Sequence, residues 1–497
     1  MSRYLLGYDI GSSSVKAALL DAESGKCVAS AFSPEKEMPI QSPHPGWAEQ
    51  DPEMWWNELV SATHQLYREI SFLPDEIISI GISYQMHGLV CVDKKGRVLR
   101  PAIIWCDSRS VQIGEQAFEA LGKEFCLENY LNSPGNFTAS KLKWVKENEP
   151  HIFERIYKAM LPGDYIAYRL TDCMTITESG LSEGICWNFK KQTYAEKLFS
   201  YYGFERKIFP DLVPVFGEQG LLTAGAAREL RLSKNIPVSY RAGDQPNNAY
   251  SLRVLNPGEI AATAGTSGVI YGVTDEINYD KLSRVNTFLH VNDTPGQRRN
   301  GVLLCINGTG IANSWIRKNM DFQGYEQMNK LAENVIPGAN GLIFFPFGNG
   351  AERVLKNQNR GARLINLDFN VHGRGEVARA VQEGIVYALR YGLEVMRNDM
   401  GMDMKVFRAG NANMFLSPVF RKVFADVTGG ILEIYDTDGA QGAARAAGVG
   451  AKYYADFNES FRGLKKIIQI EPDKTLRDDY NMMYLRWKDN LERFLEQ

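Results

Sequence analysis

Residues 4–21, YLLGYDIGSSSVKAALLD, constrain the fold of this chain more than any other stretch. An apolar run closes on Asp9 and Ile10, a Gly11-Ser12-Ser13-Ser14 turn follows, and a second apolar run covers Val15 to Leu20. Two such runs joined by small residues predict a β-hairpin. The backbone N–H groups of the turn can converge on an anion, and the serine hydroxyls add donors. Asp9 beside the turn repels a bare phosphate, since like charges cost energy at short range. A divalent cation between them removes the conflict, because Mg²⁺ takes oxygen from carboxylate, phosphate and water alike. The first reading is a magnesium-nucleotide phosphate site. An ordinary hairpin whose Asp caps a turn explains the same residues at least as well.

The pattern returns in the second half. Val238 to Ala242 reads as a strand running into Gly243-Asp244-Gln245-Pro246. Glu259 to Ala264 ends in Gly265-Thr266-Ser267-Gly268, and Val269 to Val273 comes back. Strand, hydroxyl-bearing turn and strand in both halves suggest a duplicated or paired-lobe architecture. A length of 497 residues suits two to four domains. Between these landmarks, Cys27 to Ser33 predicts a third strand, and Asp51-Pro52 reads as an N-cap with proline in the first helical turn. Ile77 to Ser83 predicts a buried strand feeding Tyr84-Gln85-Met86-His87-Gly88. Residues 110–230 read as mostly helical. Val377 to Met396 predicts one long helix, Val406 to Ala409 a strand into Gly410-Asn411-Ala412-Asn413, and Leu476 to Leu495 a docked amphipathic helix.

The bulk chemistry excludes several classes. A net charge of −3 gives no reason to expect nucleic acid or an acidic membrane as partner. No window approaches the roughly 18 uninterrupted apolar residues of a spanning helix, and the N-terminus lacks a signal-peptide pattern. The seven cysteines are scattered without a C-x-x-C pair, so a reduced, cytoplasmic protein is expected. The P-loop, the dinucleotide G-x-G-x-x-G, the kinase H-R-D and the metalloprotease H-E-x-x-H are all absent. A nucleotide, if bound, is held by several separate glycine-rich turns.

Each candidate residue carries a bland alternative. Asp244, after a strand and before a helix start, suits a base that accepts a proton from a sugar hydroxyl. Taken alone, it suits a helix N-cap better. His87 after a strand reads as a ligand or a hydrogen-bonded structural residue. Trp105, Asp107 and Arg109 offer an apolar face, an acceptor and a fork donor that suit a polyol, or else a surface ion pair. The Gly410 to Asn413 turn could receive adenine or ribose, or be a plain left-handed turn. Phe347 to Arg353 is a mobile flap or a surface turn with even odds.

Taken together in this order, these residues resemble the FGGY family of carbohydrate kinases, within it most closely the branch acting on D-xylulose, over essentially the whole chain. D-I-G-S-S-S-V-K from Asp9 to Lys16 looks like the family's first phosphate motif. H-P-G-W-A-E-Q-D-P from His44 to Pro52 and Gln85-Met86-His87-Gly88 are similar to segments of the D-xylulose branch. Phe137 to Asn148, with Lys141 and Trp144, resembles the first family signature. Gly243-Asp244 falls where the family keeps its catalytic base, Gly265 to Gly268 fits the second phosphate motif, and Gly410, Asn411 and Asn413 sit in the adenosine motif. Departures occur at Asn366, at Gln382, in the loop Asn349 to Val354 and in the A-G-N-A-N turn, all in the nucleotide and flap regions.

The resemblance implies an α/β fold of two ribonuclease H-like, hexokinase–actin type domains flanking a central cleft. Residues 1–243 would form an N-terminal lobe with the sugar and first phosphate motifs. Residues 244–497 would form a C-terminal, nucleotide-binding lobe with the docked helix. It implies ATP-dependent phosphorylation of D-xylulose to the 5-phosphate, with ATP and Mg²⁺ as cofactors and lobe closure on the sugar. Asp244 would be catalytic and Asp9 would hold the metal. Gln85, Met86, His87, Trp105, Asp107 and Arg109 would bind the sugar. Gly11, Ser12, Ser13, Lys16, Gly265, Thr266, Ser267, Gly310, Gly410, Asn411 and Asn413 would bind the nucleotide. The partners implied are small molecules, with no nucleic acid or membrane, and a homodimer is one open assembly state. Two alternatives stand beside this: a kinase for another ketose or polyol such as ribulose, and a non-enzymatic, nucleotide-gated binding protein.

Overall fold

The computed structural model describes residues 2–496. Two compact units divide the chain. The first is Met1–Arg253 with Phe288–Asn300 and Thr437–Leu464; the second is Val254–Thr287 with Gly301–Asp436 and Lys465–Gln497. This differs from the expected division after residue 243. The helix Asp244–Ser251 stays with the first unit because it is tied to a segment that returns there late in the chain. Asn247 Nδ2 donates to the Gly439 carbonyl at 2.9 Å, and the Ser251 and Thr437 hydroxyls meet at 2.7 Å.

The first unit is built on the strands β1 (Tyr4–Ile10), β2 (Val15–Asp21), β3 (Cys27–Ser33), β4 (Ile77–Tyr84) and β5 (Val238–Gly243), in the order β5-β4-β1-β2-β3. The hairpin and β3 are antiparallel, while β4 and β5 run parallel to β1. The register sets Asp9 opposite Lys16 on one side and Ser83 on the other, and Gly243 opposite Tyr84. The carboxyl ends of the three parallel strands therefore open at one edge, where ligands of such sheets bind. One face is covered by the helix Pro52–Glu69, whose N-cap Asp51 accepts from Glu53 N at 3.0 Å, as the Asp-Pro pair predicts. The other is covered by Gly439–Gly450, a helix of small residues, GAQGAARAAGVG. Its approach is close: a Cβ on Gly7 would lie 1.9 Å from the Ala440 carbonyl oxygen.

In the second unit, β6 (Ile260–Ala264), β7 (Gly268–Thr274), β8 (Asn300–Ile306), β9 (Val406–Gly410), β10 (Ile431–Tyr435) and β11 (Lys466–Ile470) are ordered β8-β7-β6-β9-β10-β11. β7 is antiparallel to β6, while β9 runs parallel to β6 and β10 to β9. In the first sheet β2 is likewise antiparallel to β1, while β4 runs parallel to β1 and β5 to β4, so the expected α/β duplication holds. The long helix is Arg374–Asn398 and the terminal helix Arg477–Glu496. The latter buries Tyr480, Tyr484, Trp487, Leu491 and Phe494, and its Trp487 indole donates to the Phe344 carbonyl at 2.9 Å. Residues 110–230 are less helical than expected. Strands of two or three residues, such as Lys158–Met160 and Thr175–Thr177, punctuate them, too short to print an alternating pattern.

Candidate functional site

Asp9 and Asp244 stand at the same edge of the first unit's sheet, near enough for the charge of Asp9 to raise Asp244. Asp9 ends β1, half-buried, and its Oδ1 accepts from Ser83 Oγ at 2.9 Å. Burial raises its pKa, the Lys16 ammonium across the hairpin and the Ser83 hydroxyl oppose that, and Asp438 adds to it. Asp244 is the first residue of the helix Asp244–Ser251, and Gly243 takes the N-cap place that Asp244 was alternatively expected to fill. Burial, followed by the charge of Asp9, pushes Asp244 up to about 7. The N-terminus of the small-residue helix comes up behind Asp9: a Cβ on Gly439 would lie 2.5 Å from Asp9 Oδ2. That helix end favours negative charge nearby. One carboxylate poised near neutrality beside another is a good base and an unfavourable neighbour unless a cation joins them. Among the described residues no group of three or more His, Cys, Asp or Glu is arranged to hold a metal. The donor set suits a hard cation that draws most of its oxygens from phosphate and water.

The hairpin turn carries Gly11 and Ser12 half-buried, with Ser13 and Lys16 exposed. Gly11 N donates to the Ser14 carbonyl at 3.1 Å. The turn is braced by Gln50, whose Nε2 donates to the Ser12 carbonyl at 2.7 Å. Gln85, expected to touch sugar, is 2% exposed, and its amide approaches Gln50 Oε1 at 3.5 Å. It reaches the turn through Gln50.

Met86 is buried, and His87 is half-buried with a left-handed φ of 61°. That costs a non-glycine residue energy and persists only where neighbours enforce it. Here Lys141 Nζ donates to the His87 carbonyl at 2.8 Å, the His87 ring sits 3.0 Å from the Glu183 carbonyl through Nδ1, and Phe137 and Phe288 flank it. Lys141 is fully buried and also donates to the Ile104 carbonyl at 3.0 Å. Burial lowers its pKa to about 8. It ties the His87 segment to the stretch leading to Trp105.

Trp105 is 40% exposed and its indole donates to Ser12 Oγ at 3.3 Å. Asp107 and Arg109 form an ion pair, but a buried one and not the surface pair that was one expectation. Asp107 is fully buried and accepts from Ala48 N at 2.6 Å and from Arg109 Nη2 at 2.7 Å. The Arg109 guanidinium, 1% exposed, also pairs with Glu49 at 2.7 Å and stacks on Trp47 and Trp144, 3.7 and 4.8 Å from the ring centroids. Charge-assisted pairs of this kind build a rigid wall beside Trp105.

In the second unit, three expected turns gather. Gly310 N donates to the Gly265 carbonyl at 2.9 Å and Ile311 N to the Thr266 carbonyl at 3.2 Å. Thr266 is exposed, Ser267 and Gly410 are half-buried, and Asn411 and Asn413 are exposed. Asn413 takes a left-handed φ of 54°, and its Nδ2 lies 3.5 Å from where a Gly265 Cβ would stand. The result is a polar cradle of backbone and small side chains, suited to phosphate and ribose oxygens.

Two buried carboxyl groups went unsingled in the sequence. Glu183, 2% exposed, is raised well above the usual range by burial and by Asp244 and Asp164, with the Tyr84 hydroxyl and Lys141 opposing. Glu352, fully buried, belongs to the loop read as flap or surface turn. Nothing in their local sequence separates either from an exposed glutamate.

Residues 4–250 match the model of the FGGY family of carbohydrate kinases, N-terminal domain, and residues 260–451 match that family's C-terminal domain. The xylulose kinase of Escherichia coli (strain K12) is 30% identical over 450 residues, 90% of this chain and 90% of that one. The xylulose kinase of Staphylococcus xylosus is 27% identical, over 96% and 98% of the two chains. The crystal structure of a xyloylose kinase from Brucella ovis aligns over 98% of both chains with a TM-score of 0.86 and 27% identity.

Proposed function

The chain belongs to the FGGY family of carbohydrate kinases, and from that premise we propose that it transfers the γ-phosphoryl group of ATP to the terminal hydroxyl of D-xylulose, giving D-xylulose 5-phosphate. The observation that carries the chemistry is the juxtaposition of Asp9 and Asp244 where the parallel strands end. Asp244 accepts the proton of the sugar hydroxyl as its oxygen bonds to the γ-phosphorus, while the bond to the ADP oxygen breaks and ADP leaves. A base with a pKa near 7 is matched to that task at neutral pH.

Asp9 would hold Mg²⁺, directly or through water. When bound, the ion neutralises phosphate charge and relieves the repulsion between Asp9 and Asp244. Ser12, Ser13, Lys16 and the Gly265 to Ser267 turn bind phosphate oxygens, and Gly310, Gly410, Asn411 and Asn413 bind the rest of the nucleotide. Met86, His87 and Trp105 contact the sugar. Asp107 acts as a positioning residue behind them, since its carboxylate is already engaged by Ala48 and Arg109, while Gln85 and Arg109 bind the sugar or hold that wall in place.

No helix among the described residues is long and apolar enough to cross a membrane, and all seven cysteines are free thiols. A cytoplasmic enzyme fits both. A coupled ADP-release assay across D-xylulose, D-ribulose, L-ribulose, glycerol and gluconate tests the substrate. D-xylulose should give the highest kcat/KM; a higher value for any other acceptor overturns the assignment.

A further inference from the structure

In the second unit, the loop of residues 346–358 is folded around a fully buried carboxylate. Glu352 is 0% exposed, and both its oxygens stand 3.0 Å from Asn307 N. Burial pushes its pKa up to about 7, while the N–H groups of Asn307 and Gly308 favour the charge. The grip is reciprocal: Asn307 Nδ2 donates to the Ala351 carbonyl at 2.8 Å, and Asn349 Nδ2 donates to the Asn307 carbonyl at 3.2 Å. Gly308 is pressed so close that a Cβ there would lie 1.5 Å from the Pro346 carbonyl oxygen. Immediately beyond the gripped residues, Gly310 and Ile311 donate to the carbonyls of Gly265 and Thr266.

Gly348 to Ala351 of the loop are exposed, as a surface turn requires, but Glu352 turns inward and anchors it. The loop is a brace whose charged end holds the 307–310 turn by its backbone. A carboxylate buried with backbone N–H partners is costly to keep, and its geometric effect is strong because charge-assisted bonds are short and directional. We propose that Glu352 is a positioning residue for the nucleotide, fixing the 307–310 turn so that its Gly310 N–H holds the Gly265 carbonyl and the 265–267 turn is set to present its N–H groups to phosphate. The inference rests on the reading of this unit as the nucleotide-binding one.

Glu352→Gln separates this role from bulk packing. Because both oxygens face Asn307 N, either amide rotamer brings an NH₂ group against an N–H donor, with shape nearly unchanged. Calorimetry of Mg²⁺-ADP and of D-xylulose binding, with steady-state KM for ATP and sugar, reads the outcome. The variant should bind Mg²⁺-ADP roughly tenfold or more weakly, with KM for ATP rising in parallel and sugar affinity unchanged. Asn307→Ala, which leaves the backbone grip and removes the side-chain bond to the Ala351 carbonyl, should act in the same direction and less strongly. Unchanged ADP affinity in folded Glu352→Gln, or in Asn307→Ala should the first variant fail to fold, overturns the proposal, as does equal weakening of both ligands. Wild-type protein that binds D-xylulose but not Mg²⁺-ADP overturns the nucleotide reading itself and the proposal with it.

Discussion

Asp9 and Asp244 share the carboxyl edge of one sheet, and after burial the charge of Asp9 is the largest influence raising Asp244 to about 7. The two residues are far apart in the chain, but β1 and β5 flank β4 in parallel and bring their carboxyl ends to one edge. The proposed base and the carboxylate proposed to hold a cation thereby stand at the edge of a single sheet.

The rate should follow that titration. A carboxyl whose pKa is raised is protonated below it, and a protonated Asp244 accepts no proton from the sugar. The value of kcat/KM for D-xylulose should therefore fall about tenfold per pH unit below an apparent pKa near 7. Raising free Mg²⁺ should move this limb to lower pH, because a cation beside Asp9 offsets the charge that lifts Asp244. A profile flat from pH 5 to 8 at low Mg²⁺ contradicts the coupling.

Gly439→Ala tests the packing behind Asp9. Alanine is the better helix former by roughly 1 kcal/mol, so helix Gly439–Gly450 should hold. The added Cβ would stand 2.5 Å from Asp9 Oδ2, and the carboxylate is the softer partner to move. Turnover should drop by roughly 10²-fold, the scale of an ångström-sized misplacement, with the melting temperature little changed. Wild-type turnover would show that Asp9 has room to spare.

Much of the framework was legible because it obeys short-range rules. Both hairpins, the Asp51 cap and the striped terminal helix come from patterns of two to seven residues. The helix Gly439–Gly450 escaped because it is small all round and has no apolar stripe to read, its shape being demanded by Gly7 and Gly81 on the sheet beneath. Asp107 and Arg109 were read as sugar ligands or a surface pair. Their burial depends on Trp47 and Trp144, which only the tertiary fold brings to them. Glu183 and Glu352 were invisible for a similar reason: burial is set by neighbours distant in sequence, and neither belongs to a local motif.

Lys141 should control sugar affinity from outside the contact surface. Its ammonium holds the carbonyls of His87 and Ile104, and hydrogen bonds from a charged donor contribute about 1.5–3 kcal/mol each. Lys141→Met keeps the length of the side chain and removes both bonds, so His87 loses part of what enforces its left-handed backbone. KM for D-xylulose should rise roughly tenfold to a hundredfold, with KM for ATP within twofold of wild type. Equal changes in both would assign Lys141 to general stability.

The most direct measurement is ADP release by wild-type and Asp244→Asn protein with D-xylulose and Mg²⁺-ATP, beside calorimetric binding of the sugar to each. The substitution keeps size and removes the proton acceptor, so kcat should fall by roughly 10²-fold or more while sugar affinity stays within a few-fold. Turnover equal to wild type, with the sugar bound as before, would contradict the assignment of Asp244 as the base.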